Sequence, residues 1–434
     1  MSPVRSLIAF LKAAVLQFAA IWWLPSAAGA ARRAVTALQP AARPSWRSDP
    51  QTARQLLIDV SIIATHDAGT GIQRVVRSLL LQLLHAPPPG FDIRPVRATR
   101  KQTYRYANRY LASLTSVAVE DDDEVRVSSG DIFVGLDLTS RIVPRRQYDL
   151  LRWQQIGVRC AFVVYDLLPL LHPDWFTPRA RRSFRHWLST VAIHADSLFC
   201  ISRAVSDDAR YCMTNRFGVT EPTISVGWFH LGANLPVPDR MACAAQPRTL
   251  PIAAEAHRKI LMVGTIEPRK GHAQVLDAFE LLWRAGARQT LIIAGRQGWH
   301  VESFVDRLKD HPEAGKRLIW LPKIDDSQLA QLYAEASGLV MASEGEGFGL
   351  PIVEAAQYGV PVFVRDLPVF REVADAHATY FFAQTGTELA PQLAAWLERL
   401  DNDSAPVSDA MRSLTWSASA ERLKALIAEL DCQR

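Results

Sequence analysis

The sequence predicts an α/β protein built on two doubly wound parallel sheets, and three observations carry that prediction. Apolar strand-like runs such as Gln55-Leu-Leu-Ile-Asp-Val, Asp131-Ile-Phe-Val-Gly-Leu, Val158-Arg-Cys-Ala-Phe-Val-Val-Tyr and Ser197-Leu-Phe-Cys-Ile-Ser alternate with helical segments, the order that produces crossover connections and parallel strands. The alternation restarts at Lys259 after an aperiodic stretch, Leu235 to Ala256, that holds Pro236, Pro238, Pro247 and Pro251. The 434 residues suffice for two or three separate cores. The expected organisation is an apolar helix and linker over 1–53, a first domain over 54–234, a linker over 235–256, a second domain over 257–415 and a closing helix over 416–434.

Hydrophobic residues at 49% and charged residues at 21% describe a globular protein. Its net charge of +5 divides unevenly, with about +10 across residues 1–255 and −5 across 256–434. A basic first part suits an anionic membrane surface or a phosphate-bearing acceptor, and solvated arginines would produce the same count. Nucleic acid is not an expected partner, because no basic stripe with interleaved aromatics sits on a recognisable module. Cys160, Cys200, Cys212, Cys243 and Cys432 lack paired spacing, so neither a zinc site nor a disulfide framework is expected, and a cytoplasmic, reducing setting follows.

Leu7 to Leu24 form an apolar run broken by Lys12 and Gln17 and ended by Pro25. At the lower length limit for spanning a bilayer, with a lysine inside it, the run is expected to be a peripheral anchor. Leu7, Phe10, Leu11, Ala14, Phe18, Ile21 and Trp22 share one helical face, and Trp22 and Trp23 would sit at headgroup depth. A helix packed on the protein or a partner is the alternative, and a cleaved signal peptide a third. Ala28 to Thr52, rich in Ala, Pro and Arg, reads as a linker.

In the first domain a buried strand leads into His66-Asp-Ala-Gly69-Thr-Gly71 and a helix from Ile72 to Leu84. Glycines between a strand end and a helix start make a niche for an anion, or simply a tight turn. Arg100, Lys101, Arg105 and Arg109, interleaved with Tyr104, Tyr106 and Tyr110, could face an acceptor, a membrane or solvent. Asp121 and Asp123 form an Asp-x-Asp pattern inside five consecutive acids, which reads as a solvated loop; no metal is expected. Ligands of doubly wound sheets sit beyond the carboxyl ends of strands, so Asp166 and Ser202-Arg203 are candidates there. Asp166 can serve an acceptor hydroxyl or cap its loop. His230 reads as a packed histidine.

In the second domain, Lys259 to Val263 is a strand whose loop carries Glu267, Arg269 and Lys270 before a helix from His272 to Arg284. Strands over Gln289–Ala294 and Leu318–Leu321 follow, the latter ending in Pro322-Lys323-Ile324, then a helix from Asp326 to Ala336. The stretch Leu339 to Pro361 reads as strand, Gly-rich turn and helix. A helix entered this way presents free N–H groups and the positive end of its dipole, which suits a phosphate cradled by Phe348, Gly349 and Leu350. Glu346 and Glu354 flank the turn, too far apart to need each other and suited to accept hydrogen bonds from vicinal diols. Two adjacent cations, Arg269 and Lys270, at a strand end can neutralise a departing diphosphate.

Ser343 with Glu346-Gly-Phe-Gly-Leu-Pro351 and Glu354 resembles the signature of the family-4 retaining glycosyltransferases, which have the GT-B architecture of two Rossmann-like domains facing a cleft, with a last helix returning to the first domain. The resemblance covers about Leu56 to Leu430. It implies Glu346 at the donor sugar's hydroxyls, Glu354 at the ribose diol, the Phe348–Leu350 amides at the β-phosphate, and Lys270 and Arg269 at the leaving diphosphate. It also places Gly264, Lys323 and Ile324 near the donor nucleotide, Gly69 and Gly71 near the donor phosphates or the acceptor, and Asp166 near the acceptor. Where many relatives read His-Asp, this chain has Tyr165-Asp166, which removes a histidine contact to the donor sugar. Relatives transfer on the front face, the leaving phosphate taking the acceptor's proton, so neither a nucleophilic side chain nor a metal is implied. No cofactor is expected beyond a nucleoside-diphosphate sugar as donor. Resemblance to bacterial mannosyltransferases of polysaccharide assembly points to GDP-mannose, a glycan or polyprenyl-linked saccharide acceptor, and a place at the inner face of the cell membrane. A sugar-nucleotide hydrolase or epimerase, or a non-catalytic module binding sugar nucleotides or glycans, is the alternative. A nicotinamide dehydrogenase is not expected, since no glycine fingerprint with a ribose-binding acid follows either first strand.

Overall fold

The computed structural model describes residues 3–40, 53–115, 118–234 and 257–432. The expected interdomain linker, 235–256, lies outside the described residues, as does the 41–52 part of the first one. The chain divides into two units, residues 1–231 with 416–434 and residues 232–415.

The first unit holds a seven-stranded sheet of β1 (Arg54–Asp59), β2 (Phe91–Arg97), β3 (Arg105–Tyr106), β4 (Ile132–Gly135), β5 (Arg159–Val164), β6 (Ser197–Cys200) and β7 (Ser225–Trp228), ordered β3-β2-β1-β4-β5-β6-β7. All pairs are parallel except β2 with β3. Every residue of β4, β5 and β6 is buried, as expected for strands covered on both faces. The second unit holds β8 (Lys259–Val263), β9 (Thr290–Ala294), β10 (Leu318–Leu321), β11 (Gly338–Met341), β12 (Val362–Arg365) and β13 (Thr379–Phe381), ordered β10-β9-β8-β11-β12-β13 and parallel throughout. The predicted pair of doubly wound sheets is thus what the chain forms. In each sheet the strand order reverses beside the first strand, between β1 and β4 and between β8 and β11, and such reversals are where crevices open at the carboxyl ends.

The closing helix, Trp416–Cys432, packs on the first unit. It buries Leu423, Ile427 and Leu430, its Ser419 hydroxyl donates to the His230 carbonyl at 2.7 Å, and Arg54 pairs with Asp431 at 2.6 Å.

Two expectations for the N-terminus are corrected. Residues 28–36, expected as linker, form helix α2 (Ala28–Thr36), which follows α1 (Pro3–Trp22) and packs with it on the helix Pro178–His194. Gly29 also lets α2 approach the end of the helix Arg203–Phe217, where a Cβ would come within 3.1 Å of the Phe217 and Gly218 carbonyl oxygens. Arg32, buried, donates to the carbonyls of Ala192 (3.2 Å), Ala195 (2.6 Å) and Thr223, closing the C-terminal end of Pro178–His194 where the last carbonyls lack helical partners. The face of α1 expected to be lipid-facing is divided. Ala14 and Ile21 turn inward with Ala13, Gln17 and Ala20, while Leu7, Leu11 and Phe18 point outward with Ile8 and Val15. Alanines let the helices approach closely, so packing follows the small side chains.

Replacing Arg32 by Met leaves at least three of these carbonyls without their donor. Arg32→Met is expected to lower the first unit's stability by about 2–3 kcal/mol, read as a shifted urea midpoint; an unshifted midpoint would show that α2 is not part of the fold's support.

Candidate active site

At the reversal point of the second sheet, the loops leaving β8 and β11 lie side by side. Gly271, with φ of +70°, ends the β8 loop, and a Cβ there would fall 2.4 Å from the Ala342 carbonyl oxygen, so only glycine lets the two loops touch. The Glu344 N–H donates to the Arg269 carbonyl at 2.7 Å, and the Arg269 guanidinium donates to the Gly345 carbonyl at 2.7 Å. From beneath, buried Arg365 donates to the carbonyls of Ala342 (3.1 Å) and Ala383 (2.6 Å), fixing the end of β11.

These loops bring Lys270, Arg269 and Glu346 together. Lys270 Nζ is hydrogen-bonded to Glu346 Oε1, which also accepts from the Ser343 hydroxyl at 2.7 Å; Arg269 lies 3.4 Å from Glu346 Oε2 and 3.1 Å from Glu267. The Glu346 side chain is 11% exposed. Burial alone would raise its pKa, but Lys270, Arg269 and the Ser343 hydroxyl outweigh burial and push it down to about 2. Lys270 also closes on Gly264, its Nζ 3.9 Å from where a Cβ of that residue would stand. The helix Leu350–Gln357 then starts from Gly349, whose φ of +98° turns the chain into it. Glu354, on this helix, is buried and its Oε2 accepts from the Tyr333 hydroxyl at 2.9 Å, with the Tyr333 and Tyr358 rings stacked at 5.8 Å. Lys323 and Ile324 follow β10, in the same sheet but separated from β8 by β9.

The remaining candidates belong to the first unit. Gly71 begins α3 (Gly71–His85), and Gly69, with φ of +62°, precedes the Thr70 cap. Gln73 completes a capping box and accepts from the Ala68 N–H at 2.8 Å and the Thr70 N–H at 3.2 Å, so two amides of the expected anion niche are engaged within the turn. Asp166 accepts from the Leu168 N–H at 3.1 Å, the capping role among its two open readings. Tyr165 is buried and donates to the Leu136 carbonyl at 2.8 Å, tying β5 to β4. Asp121 pairs with Arg109 on the surface, and among the described residues no cluster of His, Cys, Asp and Glu could hold a metal ion.

Sequence reading missed four residues. Tyr333 and Arg365 support the second unit's loops from distant positions and carry no local signal. Asp59 and Asp137 support the first unit's reversal point: Asp59 accepts from the Ser61 N–H (2.9 Å), Tyr104 (3.0 Å) and Thr139 (3.2 Å), while Asp137 accepts from the Ile62 and Ile63 N–H groups. Burial pushes the Asp59 pKa up to about 7 against these hydrogen bonds. An acid closing an apolar strand was the available signal for Asp59.

A carboxyl held below its ordinary 4.5 stabilises the fold fully above that value and loses the effect as pH falls through about 2. The stability difference between the wild type and Glu346→Gln is therefore expected to be flat above about pH 5 and to shrink between 4.5 and 2. Urea midpoints measured across that range test it; a pH-independent difference would remove the buried ion pair.

Residues 251–409 match the family of glycosyl transferases group 1. The serotype-specific mannosyltransferase WbdA of Escherichia coli is 43% identical over 374 residues, 85% of this chain and 44% of the relative, so the chain spans about half the length of that protein. A glycogen synthase of Mycobacterium tuberculosis is 26% identical over 52% of this chain and 49% of its own length. Among solved structures, sucrose-phosphate synthase of Thermosynechococcus elongatus aligns at a TM-score of 0.58 and 16% identity over 87% of this chain and 99% of its own. HepE of Anabaena, in complex with UDP and glucose, aligns at 0.55 and 14% identity over 87% and 97%. These two share the fold, the GT-B architecture expected from the sequence. The loops that carry Lys270 and Glu346 and the helix that carries Glu354 all lie within the matched segment, and the chain therefore carries a group 1 glycosyl transferase domain over residues 251–409.

Proposed function

We propose that the chain is a retaining mannosyltransferase that moves mannose from GDP-mannose to a hydroxyl of a glycan or polyprenyl-linked saccharide in polysaccharide assembly, working in the cytoplasm at the membrane's inner face. The observation that carries this is the convergence of Lys270 and Arg269 on Glu346, next to Gly264 and on the loop that starts the helix Leu350–Gln357. Identity to WbdA over most of the chain supports mannose as the sugar.

In this mechanism a diphosphate entering beside Gly264 takes Lys270 and Arg269 from Glu346, and the released carboxylate turns to the sugar's hydroxyls. The bond from the sugar's anomeric carbon to the β-phosphate oxygen breaks, and a bond to the acceptor oxygen forms on the same face. The acceptor's proton passes to the departing phosphate. Charge developing on that phosphate is met by Lys270, Arg269 and the Phe348–Leu350 amides, so the step needs no metal and no nucleophilic side chain. Glu354, oriented by Tyr333, receives the ribose diol. Gly69, Gly71 and Asp166 serve the acceptor side, and Lys323 and Ile324 the base.

Lys270→Ala is expected to lower kcat about 100-fold or more with little change in donor KM, whereas Glu354→Ala raises donor KM about tenfold. Steady-state kinetics with GDP-mannose and a soluble oligosaccharide acceptor, with and without EDTA, test both; full kcat in Lys270→Ala would end the leaving-group assignment. Donor consumption without acceptor elongation would favour a hydrolase, and no consumption of any nucleotide sugar that stabilises the protein would favour a binding module.

A further inference from the structure

The first unit leaves one face of α1 bare. Leu7, Ile8, Leu11 and Val15 are each more than half exposed and Phe18 is 37% exposed; all five lie on the side of the helix away from its alanine seam. Trp23, 75% exposed, extends the stripe past the helix end. Single exposed apolar side chains are ordinary, but a continuous row of this length marks a binding surface. No helix among the described residues is long and apolar enough to cross a membrane.

The stripe runs into a field of arginines. Phe18 meets Trp22 at 6.3 Å, and Trp22 meets the His186 ring at 4.6 Å with the Arg145 guanidinium 5.7 Å from its own ring. Burial, together with Arg185, Arg182 and Arg145, holds the His186 pKa down to about 4, which places those three cations around it. Arg179 lies one turn before Arg182 on the same helix and acts on Arg141, as does Arg100. Among the described residues none of these six arginines is in an ion pair, so their charge is uncompensated by the fold.

We propose that this composite face, the outer side of α1 with the arginines of the helix Pro178–His194 and of the turn 141–145, seats the first unit on an anionic phospholipid membrane, apolar side chains among the acyl chains and guanidinium groups at the lipid phosphates. Apolar burial and attraction of basic residues to anionic lipid add in such a contact. The alanine seam and the Arg32 clamp hold α1 in place beforehand, so little ordering entropy is lost on binding. A symmetric pairing of two copies through the same face would set arginine field against arginine field, which charge opposes. The inference rests on the reading above that the acceptor is reached at a membrane.

The test is co-sedimentation of the full chain with phosphatidylcholine vesicles that contain or lack phosphatidylglycerol. Binding is expected only with phosphatidylglycerol and is expected to weaken with salt. The doubly substituted variants Leu11→Glu with Val15→Glu, and Arg182→Glu with Arg185→Glu, are each expected to lower the partition coefficient about tenfold or more, with thermal melting and sedimentation as in the wild type. Equal binding by either variant, or no binding by the wild type, overturns the face. A wild-type dimer that the α1 variant splits overturns it in favour of a second copy. Mannosyl transfer to a soluble acceptor, measured alongside, separates the two readings: transfer without vesicle binding removes only the membrane face, and vesicle binding without transfer supports the face while removing the activity.

Discussion

The Lys270–Glu346 pair is the constraint from which the second unit's chemistry follows. A carboxylate this buried must be paired, since an uncompensated charge there would cost several kcal/mol, and its partners come from two loops that are distant in sequence. Lys270 and Arg269 leave β8; Ser343 and Glu346 leave β11. They meet because the strand order reverses between β8 and β11, and because Gly271 and the Arg269 carbonyl let one loop lie directly on the other. Charge neutrality and loop packing are here one requirement: moving either loop by the width of a methyl group would strand a cation or an acid. The same geometry leaves Lys270 beside Gly264, the residue at the mouth of β8 whose missing side chain keeps that space free.

The two reversal points are supported differently. In the second unit the charged groups face one another, and support for the loops comes from Arg365, which donates to two backbone carbonyls and to Gln274, and from Tyr333, which donates to Glu354. In the first unit the carboxylates themselves are the support. Asp59 and Asp137 accept from the Ser61, Ile62 and Ile63 amides of the turn after β1, Asp59 also from the distant Tyr104 and Thr139 hydroxyls, and Gln73 closes the next turn. Hydrogen bonds within the turn fix its shape and engage the Ala68 and Thr70 amides.

Much of this was legible in the chain. Both sheets followed from continuous apolar runs separated by amphipathic helices, because strands buried on both faces are near-continuously apolar, as β5 and β9 are after their first residues, Arg159 and Thr290. The glycosyltransferase signature was legible because its parts are close in sequence: a turn of glycines, two acids and a helix start within a dozen residues. What could not be read were contacts between distant positions. Nothing around Tyr333 announces Glu354, and nothing in Val-Phe-Val-Arg365 announces the carbonyls at Ala342 and Ala383. The Thr70–Gln73 capping box is itself a local signal, a threonine followed three residues on by a glutamine at a helix start.

The N-terminus failed for a different reason. α1 is apolar on nearly every side, so its periodicity cannot say which face turns inward; that choice falls to side-chain size. Ala13, Ala14 and Ala20 form the seam because two helices can close over them, and the larger Leu7, Leu11, Val15 and Phe18 are left outside. Burying the large side chains instead would hold α1 too far from Pro178–His194 for Arg32 of the following helix to reach the carbonyls at its end. Close approach, one buried guanidinium and an outward apolar stripe are therefore a single solution, in which side-chain size decides which residues of α1 stay outside.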